Sequence, residues 1–135
     1  MNIYIVWTEK NNVEVPILDE QQRGIVSTIN SFHYFIQEGR GDEVLRPTLA
    51  TLENYTTIHF TTEEALMERA GYPDIEDHKA LHKELIKKTA DISRESVYLK
   101  DPDMALKFLR QWWLSHINVE DKKYAPYVRK LMERV

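Results

Sequence analysis

The chain contains no cysteine. Disulfides, thiolate-held zinc and iron–sulfur clusters are thereby excluded, so any metal must rest on nitrogen and oxygen donors. Glycine and proline are scarce, four and five in 135 residues, which leaves long stretches free to be helical. There is no basic tract: 18 Lys and Arg are interspersed with 22 Asp and Glu, for a net charge of −4. Nothing in that pattern favours nucleic acid or an anionic membrane as a partner. No apolar run approaches the roughly 18 residues of a membrane span. The apolar start, Met1 to Trp7, is too short for a signal segment and has no basic region before it. The expectation is a cytoplasmic protein with one domain over residues 1–135, large enough to bury a core. Met1 and a complete helix set lead to the expectation of a free-standing protein, with excision from a larger sensor as the alternative.

Residues 1–17 mix apolar clusters with turn signals, and Pro16 argues against a helix there. An extended arm is expected, laying Trp7, Val13, Val15 and Ile17 over the body. A first helix is expected over about 19–38, with Asp19 as N-cap and Gln22 three residues on. Its stripe is Ile25, Ile29, Phe32 and Ile36, and Gln22 falls on the same face. Gly39-Arg40-Gly41 stops it. A second helix, about 42–70, carries Leu45, Leu49, Leu52, Thr56, His59, Glu63 and Leu66. A third, about 74–97, carries Ile75, His78, His82, Leu85 and Ile92. Asp101-Pro102 opens a fourth, about 102–118, with Ala105, Leu109, Trp112 and His116 on one stripe. Residues 121–135 contain Pro126 and read as a bent continuation or a short fifth helix. The fold class is all-α: an antiparallel up-and-down four-helix bundle with an extended N-terminal arm and a short C-terminal helical segment.

His59 and Glu63, like His78 and His82, stand four residues apart, so each pair projects from one helix face. A histidine or carboxylate on a core stripe is costly unless it is paired or binds a metal. One such residue is commonplace. Five of them, His59, Glu63, His78, His82 and His116, converge from three helices. Across the Gly71-Tyr72-Pro73 turn the two pairs are offset by only about 7 Å at 1.5 Å per residue, within reach of a modest stagger. Imidazole and carboxylate donors suit iron, zinc or manganese. Two carboxylates among several histidines favour two metals, because a carboxylate can bridge. Asp121 is the natural second bridge, but five residues after His116 it needs a bend to face inward.

With these motifs in place the sequence resembles the hemerythrin family, particularly the bacterial hemerythrins. The resemblance rests on Val6-Trp7, Val15 to Asp19, His59-Phe60-Thr61-Thr62-Glu63-Glu64, Ala70 to Pro73, His78-x-x-x-His82 and His116 to Tyr124, nearly the whole chain. It implies a non-haem di-iron protein that binds dioxygen, in carriage, storage or sensing. It implies two iron ions joined by an oxo or hydroxo group. His78, His82 and His116 would hold one iron, His59 the other, and Glu63 and Asp121 would bridge. Trp113 and Ile117, flanking His116, are candidates for the lining of an O₂ pocket. The partner would be O₂ or another small exogenous ligand, and the protein a monomer or weak homo-oligomer.

One position departs from the family pattern. Its first helix carries Asp-x-Gln-His, whereas this chain reads Asp19-Glu20-Gln21-Gln22. His33 cannot substitute, since eleven residues of helix displace it by about 16 Å. Gln22 admits three readings: a weak oxygen ligand, a ligand position left to water or an exogenous molecule, or a capping residue for Asp19. An amide is a poorer donor than imidazole, so the second iron should be weakly held in each case. The alternatives to O₂ binding are a di-iron oxidase- or peroxidase-like enzyme and a metal-storage protein with incomplete filling.

Overall fold

A computed structural model describes residues 3–133, together with all their side chains except that of Ile117. The ends of the expected arm and C-terminal segment, residues 1–2 and 134–135, lie outside the described residues, as does the Ile117 pocket assignment. The described chain is helical: α1 (Pro16–Gln37), α2 (Gly41–Ala70), α3 (Ile75–Leu99), α4 (Pro102–Ser115), a π-helical segment (His116–Glu120) and α5 (Asp121–Met132). The last three form one unbroken helical run, so the chain folds as the expected up-and-down four-helix bundle. The fourth helix does not stop near 118.

The start of the first helix differs from the sequence expectation. Helix α1 starts at Pro16, not after Asp19, with Val15 as its N-cap. Proline lacks an N–H that the first helical position does not need, so Pro16 begins the helix instead of preventing it. Ile17 then points outward, 44% exposed, and Leu18 is fully buried in its place. Asp19 does not cap α1. Its carboxylate accepts the backbone N–H groups of Val13 (2.8 Å) and Glu14 (3.0 Å), closing the arm down on the helix. The arm is also less extended than expected, with a 3₁₀ turn at Glu9–Asn11. Asn30 pins it further along, donating to Ile5 O (2.9 Å) and accepting from Ile5 N (2.8 Å).

Helices α2 and α3 are closed by left-handed residues. At Gly71, φ +69°, Tyr72 N donates to Met67 O (3.0 Å) and Gly71 N to Glu68 O (3.2 Å). That paired pattern ends α2 and folds the Tyr72 ring back over Met67 in the same apolar cluster. Helix α3 runs two residues past Val97 because Lys100 takes the same role at φ +53°.

The core is divided. Ile25, Ile29, Phe32, Leu52, Leu85, Leu109 and Trp113 belong to a larger apolar cluster. Val13, Val15, Leu18, Met67, Tyr72, Tyr124 and Val128 form a smaller one. Three candidate site residues fall between the two sets along the chain: Gln22 between Leu18 and Ile25, Glu63 between Phe60 and Met67, Asp121 between Trp113 and Tyr124. A polar layer is therefore clamped between apolar ones, away from water.

Candidate metal centre

Every expected ligand side chain that can be described arrives in that layer. His59 and Glu63 come from α2, His78 and His82 from α3, His116 from the π segment and Asp121 from the start of α5. All six are buried, from 0% exposed at His59 and Glu63 to 6% at His116. The stagger between α2 and α3 is resolved in favour of Glu63, whose Oε1 lies 2.9 Å from His82 Nε2 and 3.4 Å from His78 Nε2.

The π segment supplies the bend that Asp121 needs. In an α-helix, five residues leave two side chains about 140° apart. Here Asp121 N–H bonds to His116 O, five residues back, and the wider turn brings the two side chains onto one face. Asp121 Oδ1 consequently lies 3.0 Å from His116 Nε2 and 3.3 Å from His78 Nε2.

Each carboxylate divides its two oxygens between two groups of nitrogen donors. Glu63 Oε1 and Asp121 Oδ1 face His78, His82 and His116. Glu63 Oε2 faces His59 Nε2 at 2.8 Å, and Asp121 Oδ2 accepts from Gln22 Nε2 at 3.0 Å. In the first group, one atom each from Glu63, His78, His82, His116 and Asp121 lie within 4.8 Å of one another. Opposed ligands on one ion of this kind are about 4.4 Å apart, from bonds of about 2.2 Å, so the group is the right size to close on a cation.

Gln22 is not a capping residue. It is 3% exposed, and its Nε2 sits 2.6 Å from His59 Nε2. His59 Nε2 cannot accept from the Gln22 amide and donate to Glu63 Oε2 at once. A cation among these atoms removes the conflict once the Gln22 amide turns its oxygen toward it. The ring is held from behind, since Gln21 Oε1 lies 2.9 Å from His59 Nδ1 and Gln21 in turn donates to Thr62 Oγ1 at 3.2 Å. On the other side Glu64 Oε2 lies 3.4 Å from His82 Nδ1. Carboxylates and amides behind a metal-binding imidazole fix which nitrogen faces the ion.

A di-iron centre fits these residues. Gln22 Oε1, Glu63 Oε1, His78 Nε2, His82 Nε2, His116 Nε2 and Asp121 Oδ1 are buried without a hydrogen-bond partner. Orphaned polar atoms are rare inside proteins and costly, and five of these six, all but Gln22 Oε1, belong to residues whose donor atoms gather within 4.8 Å of one another. The donor set is nitrogen and oxygen, which suits iron.

Electrostatics tell the same story. Burial by itself would lower His78, but the Asp121 and Glu63 carboxylates, 3.3 and 3.4 Å from its Nε2, outweigh it and raise it to about 9. His59 and His116 are raised against burial by Glu63 and Asp121 respectively. Burial would raise Glu63, yet the surrounding histidines hold it well below the usual carboxylate range. Without metal, the two carboxylates are balanced by protonated imidazoles. Because the folded-state value of His78 lies above its ordinary 6.5, its stabilising effect is full below 6.5 and disappears as pH rises to about 9. Metal-free protein should lose stability to urea across that window. The metal-loaded form should gain, because metal displaces those protons. Urea midpoints measured on both forms between pH 6 and 9.5 check the opposite slopes; parallel curves would refute them.

Sequence reading missed two neighbours of the site. Phe60 stacks on His82 (centroids 3.7 Å, 4° between planes) and lies 5.7 Å from Trp113, so with Trp113, 1% exposed, it forms an apolar wall beside the imidazoles. Tyr124, 1% exposed, donates its hydroxyl to Glu63 Oε2 at 2.9 Å. Its position three residues after Asp121, on the same helix face, was the available signal. His33 lies away from the centre, stacked on Tyr4 at 4.5 Å.

The chain is similar to known proteins over nearly its whole length. The family described as "Hemerythrin HHE cation binding domain" matches residues 13–128. Bacteriohemerythrin of Stenotrophomonas maltophilia is 31% identical over 126 residues, 93% of this chain and 82% of that protein. Bacteriohemerythrin of Pseudomonas aeruginosa is 31% identical over 133 residues, 98% and 86% of the two chains. Myohemerythrin-1 of Phascolopsis gouldii is 28% identical over 121 residues, covering 88% and 90%. A wild-type hemerythrin crystal structure superposes with a TM-score of 0.78 at 29% identity, covering 93% and 98%. The chain therefore belongs to the hemerythrin family, the non-haem di-iron proteins that bind dioxygen, and it carries Gln22 where the family's first helix has a histidine.

Proposed function

We propose that His78, His82 and His116, with Glu63 Oε1 and Asp121 Oδ1, hold one iron firmly, and that His59, Glu63 Oε2 and Asp121 Oδ2 hold the second weakly. Gln22 completes the second group by turning its amide so that Oε1 replaces Nε2 at the ion, a neutral donor in place of an imidazole. The observation that carries this reading is the division of both carboxylates between the two groups. When bound, the ferrous pair supplies reversible O₂ binding. The protein's part is to exclude water with Phe60 and Trp113, to fix His59 through Gln21, and to hold a proton at Tyr124 Oη against Glu63.

Weak holding of the second iron shifts the balance from carriage toward oxidation or peroxide chemistry, the second reading that Gln22 favours. The test is anaerobic reconstitution with ferrous iron, a metal count, and repeated exposure to air. The expected result is one firmly held iron, a second that chelator removes, and an oxygenated spectrum that decays with consumption of reductant. Two irons per chain and an oxygenated spectrum that survives repeated cycles would refute the impairment. Zinc or a single iron in protein as isolated would favour storage. We further propose that residues 1–135 act as one hemerythrin-like unit, in the cytoplasm, as a monomer or weak homo-oligomer. Among the described residues no helix is long and apolar enough to cross a membrane.

A further inference from the structure

The π segment delivers Asp121, and a π turn does not hold itself. It is wider than an α-turn, gives up close contacts along the helix axis, and is rare outside functional sites. The competing α-helical turn would rotate Asp121 off the His116 face and present Glu120 there, four residues on. In the structure Glu120 pairs instead with exposed Lys123 at 3.0 Å.

Two holds act against that competitor. One is apolar: Tyr124, Ala125 and Val128 of α5 are buried in one cluster with Val13 and Val15 of the N-terminal arm. The other is polar and falls on the π segment itself. Asn11 Nδ2 donates to Asn118 Oδ1 at 2.6 Å. Among the described residues this is the one hydrogen bond from a π-segment side chain to a distant part of the chain. Asn11 is oriented for it, because its Oδ1 already accepts Thr8 N at 2.9 Å and leaves Nδ2 to donate. One turn after Asn118, Lys122 Nζ donates to Lys10 O, beside Asn11.

The arm is itself fixed at both sides. Toward α1, Asp19 holds the Val13 and Glu14 amides and Arg23 donates to Asn12 Oδ1 at 3.3 Å. Toward α5, Glu14 pairs with Arg129 at 2.9 Å. The arm therefore spans the helix that carries Gln22 and the helical run that carries Asp121. Those two side chains meet at 3.0 Å in the weak half of the centre.

We propose that the arm braces the π turn, and that Asn118, held by Asn11, is a positioning residue that keeps Asp121 in reach of the second iron. The inference rests on the di-iron reading above. Asn118 is exposed and acts through the backbone that joins it to Asp121. A displaced Asp121 costs the second iron most. The first keeps three imidazoles, whereas the second keeps one imidazole and an amide beside Glu63.

The test has one reading without metal and one with it. In metal-free protein, hydrogen exchange by NMR reports the Asp121 amide, which bonds to His116 O. Asn118→Ala should speed that exchange by about 2- to 10-fold, the shift that loss of one hydrogen bond gives a local opening equilibrium. The amide of Leu85, inside α3, should be unaffected. In protein loaded anaerobically with ferrous iron, chelator should remove the second iron faster by a similar factor and the first at its original rate. Asn118→Asp keeps an acceptor for Asn11 Nδ2 and should restore both readings. Val119→Ala, at a side chain 55% exposed in the same segment, should match the unmodified protein. Unchanged Asp121 exchange in Asn118→Ala, equal acceleration at Leu85, or equal loss of both irons would overturn the brace. Failure of the unmodified protein to take up iron would overturn the di-iron reading and the positioning role with it. The exchange reading, made without metal, separates that failure from failure of the brace itself.

Discussion

Gln22→His is expected to convert the weak half of the centre into a firm one. Iron retained against a chelator should rise toward two per chain, and the oxygenated form should decay more slowly. The physical basis is donor strength and position. Gln22 already lies in the site, 2.6 Å from His59 Nε2 and 3.0 Å from Asp121 Oδ2, and is 3% exposed. A histidine is of similar size, so the substitution needs little repacking. Even residues that only support a metal ligand change affinity by about 10–100-fold, so exchanging an amide for an imidazole at the ion should tighten the second iron by at least that order. The substitution also removes the Gln22–Asp121 hydrogen bond, which frees Oδ2 for the metal. Iron retention and autoxidation rate, measured on the two proteins side by side, decide the matter. Unchanged retention would place position 22 outside the ligand set.

The second large effect is expected at Glu63, and its signature is the contrast with His59. Glu63→Ala should abolish tight binding of both irons, because its two oxygens serve both groups of donors. His59→Ala should abolish only the second, leaving one iron with His78, His82 and His116. Metal that binds the native state alone stabilises by mass action, so the rise in Tm on iron loading should vanish in Glu63→Ala and persist in part in His59→Ala. Without metal the cost is different in kind. The alanine leaves the Tyr124 hydroxyl without its acceptor and the raised histidines without a counter-charge, a loss of about 3–5 kcal/mol for one partner of a buried ion pair. Circular dichroism therefore has to confirm folding before metal is counted. A folded Glu63→Ala protein that keeps one tightly held iron would show that the carboxylate is not shared.

These two positions also mark how far the sequence alone could go. His59, Glu63, His78, His82 and His116 declare themselves because helical periodicity places ligand-type side chains where leucine belongs. Asp121 does not, since an α-helix five residues beyond His116 turns away from it. Only the π segment corrects the angle, and no residue type in His116 to Glu120 announces that wider turn. Pro16 misled for a related reason. Proline forbids a helix interior and favours a helix start, and the choice between them depends on what the neighbouring chain packs against. Asp19 looked like a cap yet binds the arm, because the Val13 and Glu14 amides reach it only after the arm has folded back.

What the sequence by itself determined is the all-helical architecture, the absence of thiolate chemistry and five side chains suited to a nitrogen- and oxygen-rich metal centre. Those follow from composition and from a period of 3.6 residues, which are local properties. Tertiary structure alone decided which oxygen of each carboxylate faces which histidines, that Gln22 enters the site instead of capping α1, and that the arm meets the π segment at Asn118. Those depend on stagger between helices and on one unusual helical turn, shifts of a few ångströms that periodicity does not encode.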